Sequence, residues 1–137
     1  MFFKSSENKK KENDLEKVAA LLIHAAKIDE NFSNEEEKII HQTLLKIGAS
    51  SEKIDKIIQE GKKIEENSNQ ILEFTKEVKN MTEENKTKII EALWRIIYSN
   101  KKADIFEANL MRRLAGLLYI DNQTMGYIKE KIKKENS

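Results

Sequence analysis

Oxygen-bearing side chains stand at alternate positions in one short stretch: Asp29, Asn31, Ser33, Glu35 and Glu37. Hard divalent cations are bound by such donors, and calcium loops space them in this way. The EF-hand loop also demands a glycine at its sixth place and a bidentate glutamate at its twelfth. Counted from Asp29, those places hold Asn34 and Ile40, so an EF-hand is excluded. A looser cation site built from Asp29, Asn31, a loop carbonyl and Glu36 or Glu37 stays open. The same residues support a second reading. Ser33 and Glu36 have the spacing of a capping box, in which each side chain satisfies the other's backbone N–H. Glu35 and Glu37 then sit at the positive end of the helix that follows. Glu36 cannot serve cap and cation equally well, because its oxygens would have to point in different directions.

Other chemistry finds little to build on. Of the two histidines, His24 has no ligand at i±4, where Ala20 and Ile28 stand, and reads as a satisfied imidazole, while His41 lies on the exposed side of the second helix and reads as a solvated one. No HExxH, GxSxG, GxGxxG or P-loop pattern occurs, and four glycines leave little for a phosphate cradle. The absence of cysteine excludes a disulfide framework, a thiolate metal site and a cysteine nucleophile. No nucleophile–base pair can be assembled, so an enzyme is not expected. Trp94 and Tyr98 read as core, with Arg95 beside them free to pair with a carboxylate or a partner. Arg112-Arg113 forms a small basic patch. Lysine and arginine total 25 against 24 acids, a formal charge of +1, which does not favour nucleic acid.

These residues must be positioned by helices. At 137 residues the chain is about one domain long, and it contains no proline. Period-2 alternation is missing, whereas apolar residues recur at helical spacing throughout. The expected elements are a polar tail over residues 1–12, flexible or loosely helical, and a helical domain over 13–134. The first helix is expected from Asn13 or Asp14, and the second after the Ser33 cap, ending at Gly48. A third should start from Ser50 or Ser51, with Gly61 either stopping it or lying within it. A fourth follows through Ile71, Phe74 and Val78, and a fifth, broad enough to be central, after Thr82. The sixth follows a second capping box at Asp104 and Glu107, and the last starts from Asp121 or Asn122. Phe2 and Phe3 read as packed or frayed, with a weak peripheral membrane hook as the sharper alternative. No apolar run is long enough for a secretory signal or a membrane span.

The first motif has an echo. A shift of 71 residues places Leu22 on Leu93, Asp29 on Asn100, Ser33 on Asp104, Glu36 on Glu107 and Ile39 on Leu110. The expected fold is therefore all-α, a single domain of about seven helices built from a duplicated helical hairpin with a pseudo-two-fold relation. In the echo the leading acid is Asn100 and two lysines follow, which argues against a second cation site.

The paired motifs, Ala26-Lys27-Ile28-Asp29 with Ser33-x-x-Glu36 and Leu93-Trp94-Arg95-Ile96-Ile97-Tyr98 with Asp104-x-x-Glu107, resemble the TerB-like family of tellurite-resistance protein B. The resemblance covers roughly residues 15–120 and is closest to the stand-alone bacterial branch. It implies a seven-helix fold and a bacterial cytoplasmic protein connected with stress-response or membrane-associated assemblies. Metal binding has been suggested for the family's acidic clusters, and here that suggestion falls on Asp29, Glu36 and Glu107, with Asn100 in the second acid's place. Glu30 and Lys101 replace the glycines of the family motif. The function expected is a non-enzymatic adaptor module that binds a protein partner and needs no cofactor, with a divalent-metal module as the alternative. Asp29, Glu36, Arg95, Asn100, Asp104 and Glu107 are the motif residues on which either function would rest.

Overall fold

A computed structural model describes residues 2–28, 33–68, 72–99 and 105–135, apart from the side chains of 2–10, 72 and 105–107. The described chain is all-helical: α1 (Phe2–Lys27), α2 (Asn34–Lys46), α3 (Ile54–Asn67), α4 (Leu72–Lys79), α5 (Glu83–Ser99), α6 (Ile105–Leu117) and α7 (Asn122–Glu135). The single-domain, seven-helix expectation holds.

The centre of the bundle is the second half of α1. From Leu15 onward its apolar residues are buried on every side, including Val18, Ala20, Leu21, Leu22, Ile23 and Ala26. A helix apolar all round must be surrounded, and α2, α3, α4 and α5 all pack against it. Helix α5 is the second hub, with Ile89, Ile90, Leu93, Trp94, Ile96 and Ile97 buried between α1, α2 and α7. The expected start of α1 at Asn13 or Asp14 is corrected, since the helix runs from Phe2. Lysine and glutamate are strong helix formers, and elongation from an anchored segment avoids the cost of a new nucleus.

Gly61 does not stop α3 but lies at its closest approach to α1. A Cβ there would stand 2.6 Å from the Ala19 Cβ and 3.2 Å from both the Ala20 nitrogen and the Glu16 carbonyl oxygen. Two ion-pair clamps flank the hubs. Glu65 on α3 accepts Lys27 Nζ of α1 at 2.8 Å, with His24 Nδ1 at 3.5 Å from its other oxygen. Glu135 on α7 receives Arg95 of α5 through two bonds of 3.0 Å, and Lys131 Nζ reaches Glu91 at 2.6 Å.

Helix ends repeat at the 71-residue offset. At the end of α2, Gly48 N–H donates to the Leu45 carbonyl and Ala49 N–H to Leu44. At the end of α6, Tyr119 N–H donates to Gly116 and Ile120 N–H to Ala115. Gly48 has φ +116 and Tyr119 φ +57, both left-handed. The next hydrogen bond also corresponds, with Lys53 N–H on Ser50 Oγ at 3.3 Å and Thr124 N–H on Asp121 Oδ1 at 2.7 Å. Helix α7 starts directly after Asp121, but residues 51–53 form a turn, so α3 starts at Ile54 and not at the expected Ser50 or Ser51.

Candidate interaction site

The first motif is built into the fold. Ser33 Oγ accepts the Glu36 N–H at 3.1 Å, and Glu36 Oε1 accepts the Ser33 N–H at 2.9 Å, which completes the capping box. Glu36 is fully buried. Glu37, one position on, faces α3, where Lys62 Nζ lies 3.4 Å from its Oε1. Asp29 and Asn31 lie outside the described residues, as do Asn100 and Asp104, and Glu107 lies on α6 with its side chain outside the description. Among the described residues no group of three or more histidines or acids is placed to hold a metal ion. A divalent cation recruited to Glu36 and Glu37 would have to compete with the Ser33 N–H and the Lys62 ammonium, so the described half of this donor set suits a cation poorly.

Arg95 is a structural residue. Its two bonds to Glu135 hold the Glu135 carboxyl below the usual carboxylate range and raise the guanidinium further. Trp94 is buried and stacks on Tyr98 at 5.8 Å between ring centroids, with Lys129 Nζ of α7 at 5.5 Å from the indole. Burial pushes the Tyr98 hydroxyl above its ordinary value. His24 Nδ1 lies 3.5 Å from Glu65 Oε1, and its ring lies 6.0 Å from that of the buried Phe74. His41 is half-buried.

Among the clefts of the described residues, two involve residues that the sequence singled out. One of about 450 Å³ lies between α2 and α3, lined by polar groups such as Asn34, Glu37, His41 and Asp55. The other, of about 460 Å³, lies between the C-terminal end of α1 and the middle of α6, and is lined by His24, Ile28, Asn109, Leu110 and Arg113. Ile28 and Leu110 give it an apolar floor, while the exposed Asn109 and Arg113 stand at its rim. It offers apolar contact, an imidazole and a guanidinium. Sequence reading missed this cleft because its walls come from helices more than eighty positions apart; only Arg113, in the basic pair on α6, pointed toward it.

The family model described as "Tellurite resistance protein TerB" matches residues 15–130. No curated protein and no solved structure matches the chain.

Proposed function

Because the chain belongs to the tellurite resistance protein TerB family, we propose that it is a non-enzymatic helical adaptor in a bacterial stress-response or envelope-associated complex. The α1–α6 cleft is the observation that carries this reading, since it combines an apolar floor with polar groups at the rim, the make-up of a recognition pocket. It opens where α1 ends, immediately before the first motif segment. No helix among the described residues is long and apolar enough to cross a membrane, and the adaptor is proposed to work in the cytoplasm. Asn109→Trp tests the reading by filling the cleft from an exposed position. Affinity capture from the native host should recover a partner with the wild-type chain and lose it with this variant. Equal recovery by both, with unchanged far-UV circular dichroism, would remove the cleft from the function.

Divalent-cation binding at Asp29, Asn31, Glu36 and Glu37 is the alternative proposal. Calcium or magnesium at a hundredfold excess over Kd would stabilise the fold by about 2.7 kcal/mol. A melting temperature that rises accordingly, and does not rise in Asp29→Asn, would put the metal reading first.

A further inference from the structure

The contact between α1 and α3 is matched in charge at one end and mismatched in the middle. At the C-terminal end of α1, Glu65 of α3 meets Lys27 and His24. About one turn earlier along α3 the two helices come closest, where a Cβ at Gly61 would stand 3.2 Å from the Glu16 carbonyl oxygen. Acids gather at this point. Glu12 and Glu16 stand one turn apart on α1, and Glu60 is the neighbour of Gly61 on α3. Burial first, then Glu60 and Glu12, push the Glu16 carboxyl above the ordinary glutamate value, against the opposing pull of Lys56 on α3. The carboxyls of Asp121 and Glu135 are instead held below their ordinary values.

Glu12 adds an independent observation. Its Oε1 is buried and has no hydrogen-bond partner. A carboxylate oxygen only accepts, so a donor is what this position lacks. Ionised Glu16 cannot supply one, whereas a protonated Glu16 carboxyl, one turn away on the same face, can. The other charged groups around the seam are already placed. Lys63 lies 3.4 Å from Glu60 on its own helix, Lys17 faces α4 at 3.9 Å from Glu77, and Lys11 and Lys53 line the cleft beside Glu12.

We propose that the α1–α3 seam at Glu16 is an acid-responsive latch, in which uptake of one proton removes the repulsion from Glu12 and Glu60 and gives Glu12 a donor. What it controls is how firmly the N-terminal half of α1, which runs from Phe2, is held on α3. The folded chain binds this proton more readily than the unfolded chain. Stability therefore rises as pH falls through the folded value of Glu16, and the gain is complete below the unfolded one. Glu135 works in the opposite sense and at lower pH, because Arg95 holds its carboxyl down. Mild acid thus tightens α1 on α3 before stronger acid releases the Arg95–Glu135 clamp between α5 and α7. The latch is independent of the adaptor reading above.

The test compares urea denaturation of wild type and Glu16→Gln from about pH 7 to about pH 4. Glutamine keeps the shape of the side chain without its charge. The variant should have the higher midpoint near neutrality, and the gap should close on acidification. Carbon-detected NMR titration should place the Glu16 carboxyl above the exposed glutamates. It should move down in Glu12→Gln/Glu60→Gln without reaching them, since burial remains. Amide exchange, corrected for its intrinsic pH dependence, should slow in residues 12–20 over the same range but not in α7. Circular dichroism confirms that the variants keep their helix content. A gap that ignores pH, or a wild type more stable than the variant at neutrality, overturns the latch. A Glu16 carboxyl that titrates with the exposed glutamates, or that does not move in the double variant, does the same. Exchange that slows equally in every helix marks a global effect and also overturns it.

Discussion

Three glycines placed inside helices should respond oppositely to the same added methyl group. At Gly61 the new Cβ would lie 2.6 Å from the Ala19 Cβ, whereas carbons rest at ~3.5–4.0 Å. Helices α1 and α3 must therefore part by about an ångström along their contact. The other close neighbours are backbone atoms, Ala20 N and Glu16 O at 3.2 Å, and neither can rotate away. Overpacking of this kind costs ~1–3 kcal/mol, and replacing a helical glycine with alanine returns up to ~1 kcal/mol. Gly61→Ala is expected to lose a net ~1–2 kcal/mol. Gly126→Ala and Gly116→Ala, with nothing within 4 Å of the new methyl, should gain ~0.5–1 kcal/mol. Chemical denaturation followed by circular dichroism at constant m-value measures all three. Ala19→Gly removes the opposing methyl, so the Ala19→Gly/Gly61→Ala double variant should show a favourable coupling of at least ~1 kcal/mol. A neutral or stabilising Gly61→Ala, or an additive cycle, would mean that α1 and α3 do not approach at Gly61.

Ser33→Ala should cost ~0.5–2 kcal/mol, and Glu36→Ala should cost more, because it strands the Ser33 N–H and empties a fully buried site; urea titrations of both variants rank them. Gly48→Ala forces an alanine to φ +116 and should destabilise, whereas Tyr119→Gly relieves a left-handed tyrosine and should raise stability by up to ~1 kcal/mol. The Arg95–Glu135 pair has a distinct pH signature. The folded Glu135 carboxyl titrates lower than it does unfolded, so its contribution is complete above the unfolded value and is lost as pH falls through the folded one. With Glu135 partly exposed, the difference between wild type and Glu135→Gln should be under ~1 kcal/mol at neutral pH and should vanish on acidification. A difference that persists in acid would show that the pair is not its source.

Helix identity was legible because the apolar spacing repeats and because caps carry local chemistry. Ser33 with Glu36, Thr82 and Asp121 each satisfy a nearby N–H of their own helix, as expected. What depends on distant contacts was not legible. The polar run before Asn13 has no apolar stripe, so nothing in it signals that α1 extends back to Phe2. Gly61 reads as a breaker until α1 is seen to press on it. Lys86 reads as a surface lysine, yet it is buried and its Nζ donates to the Leu118 carbonyl at the end of α6, 3.2 Å away. Arg95 left two readings open, and only the packing of α7 on α5 supplies Glu135. The cleft at His24 and Arg113 belongs to the same class, since neither wall announces the other.

The motif comparison blurs after the sixth helix begins, but the backbone correspondence does not. Gly48 and Tyr119 share a left-handed conformation and the same pair of closing hydrogen bonds, although one is glycine and the other an exposed tyrosine. Ser50 and Asp121 each accept the N–H three residues on at the same offset with different oxygens, Asp121 at the start of α7 and Ser50 in the turn before α3. The clamps correspond only loosely: His24 and Arg95 stand 71 positions apart, but the glutamates they meet near the ends of α3 and α7, Glu65 and Glu135, stand 70 apart. Side-chain identity can drift at such positions while the required hydrogen bond is kept, because several residue types supply the same acceptor. We therefore propose that the duplicated unit is larger than a hairpin: α1–α3 repeated as α5–α7, with α4 as the connector and a pseudo-two-fold relation between the halves. A crystal structure in which α1–α3 superpose on α5–α7 at the single 71-residue offset, through the Gly48 and Tyr119 turns, is the expected result. Superposition that breaks at those turns, or that needs a different offset for the third helix, would confine the repeat to the first two helices of each half.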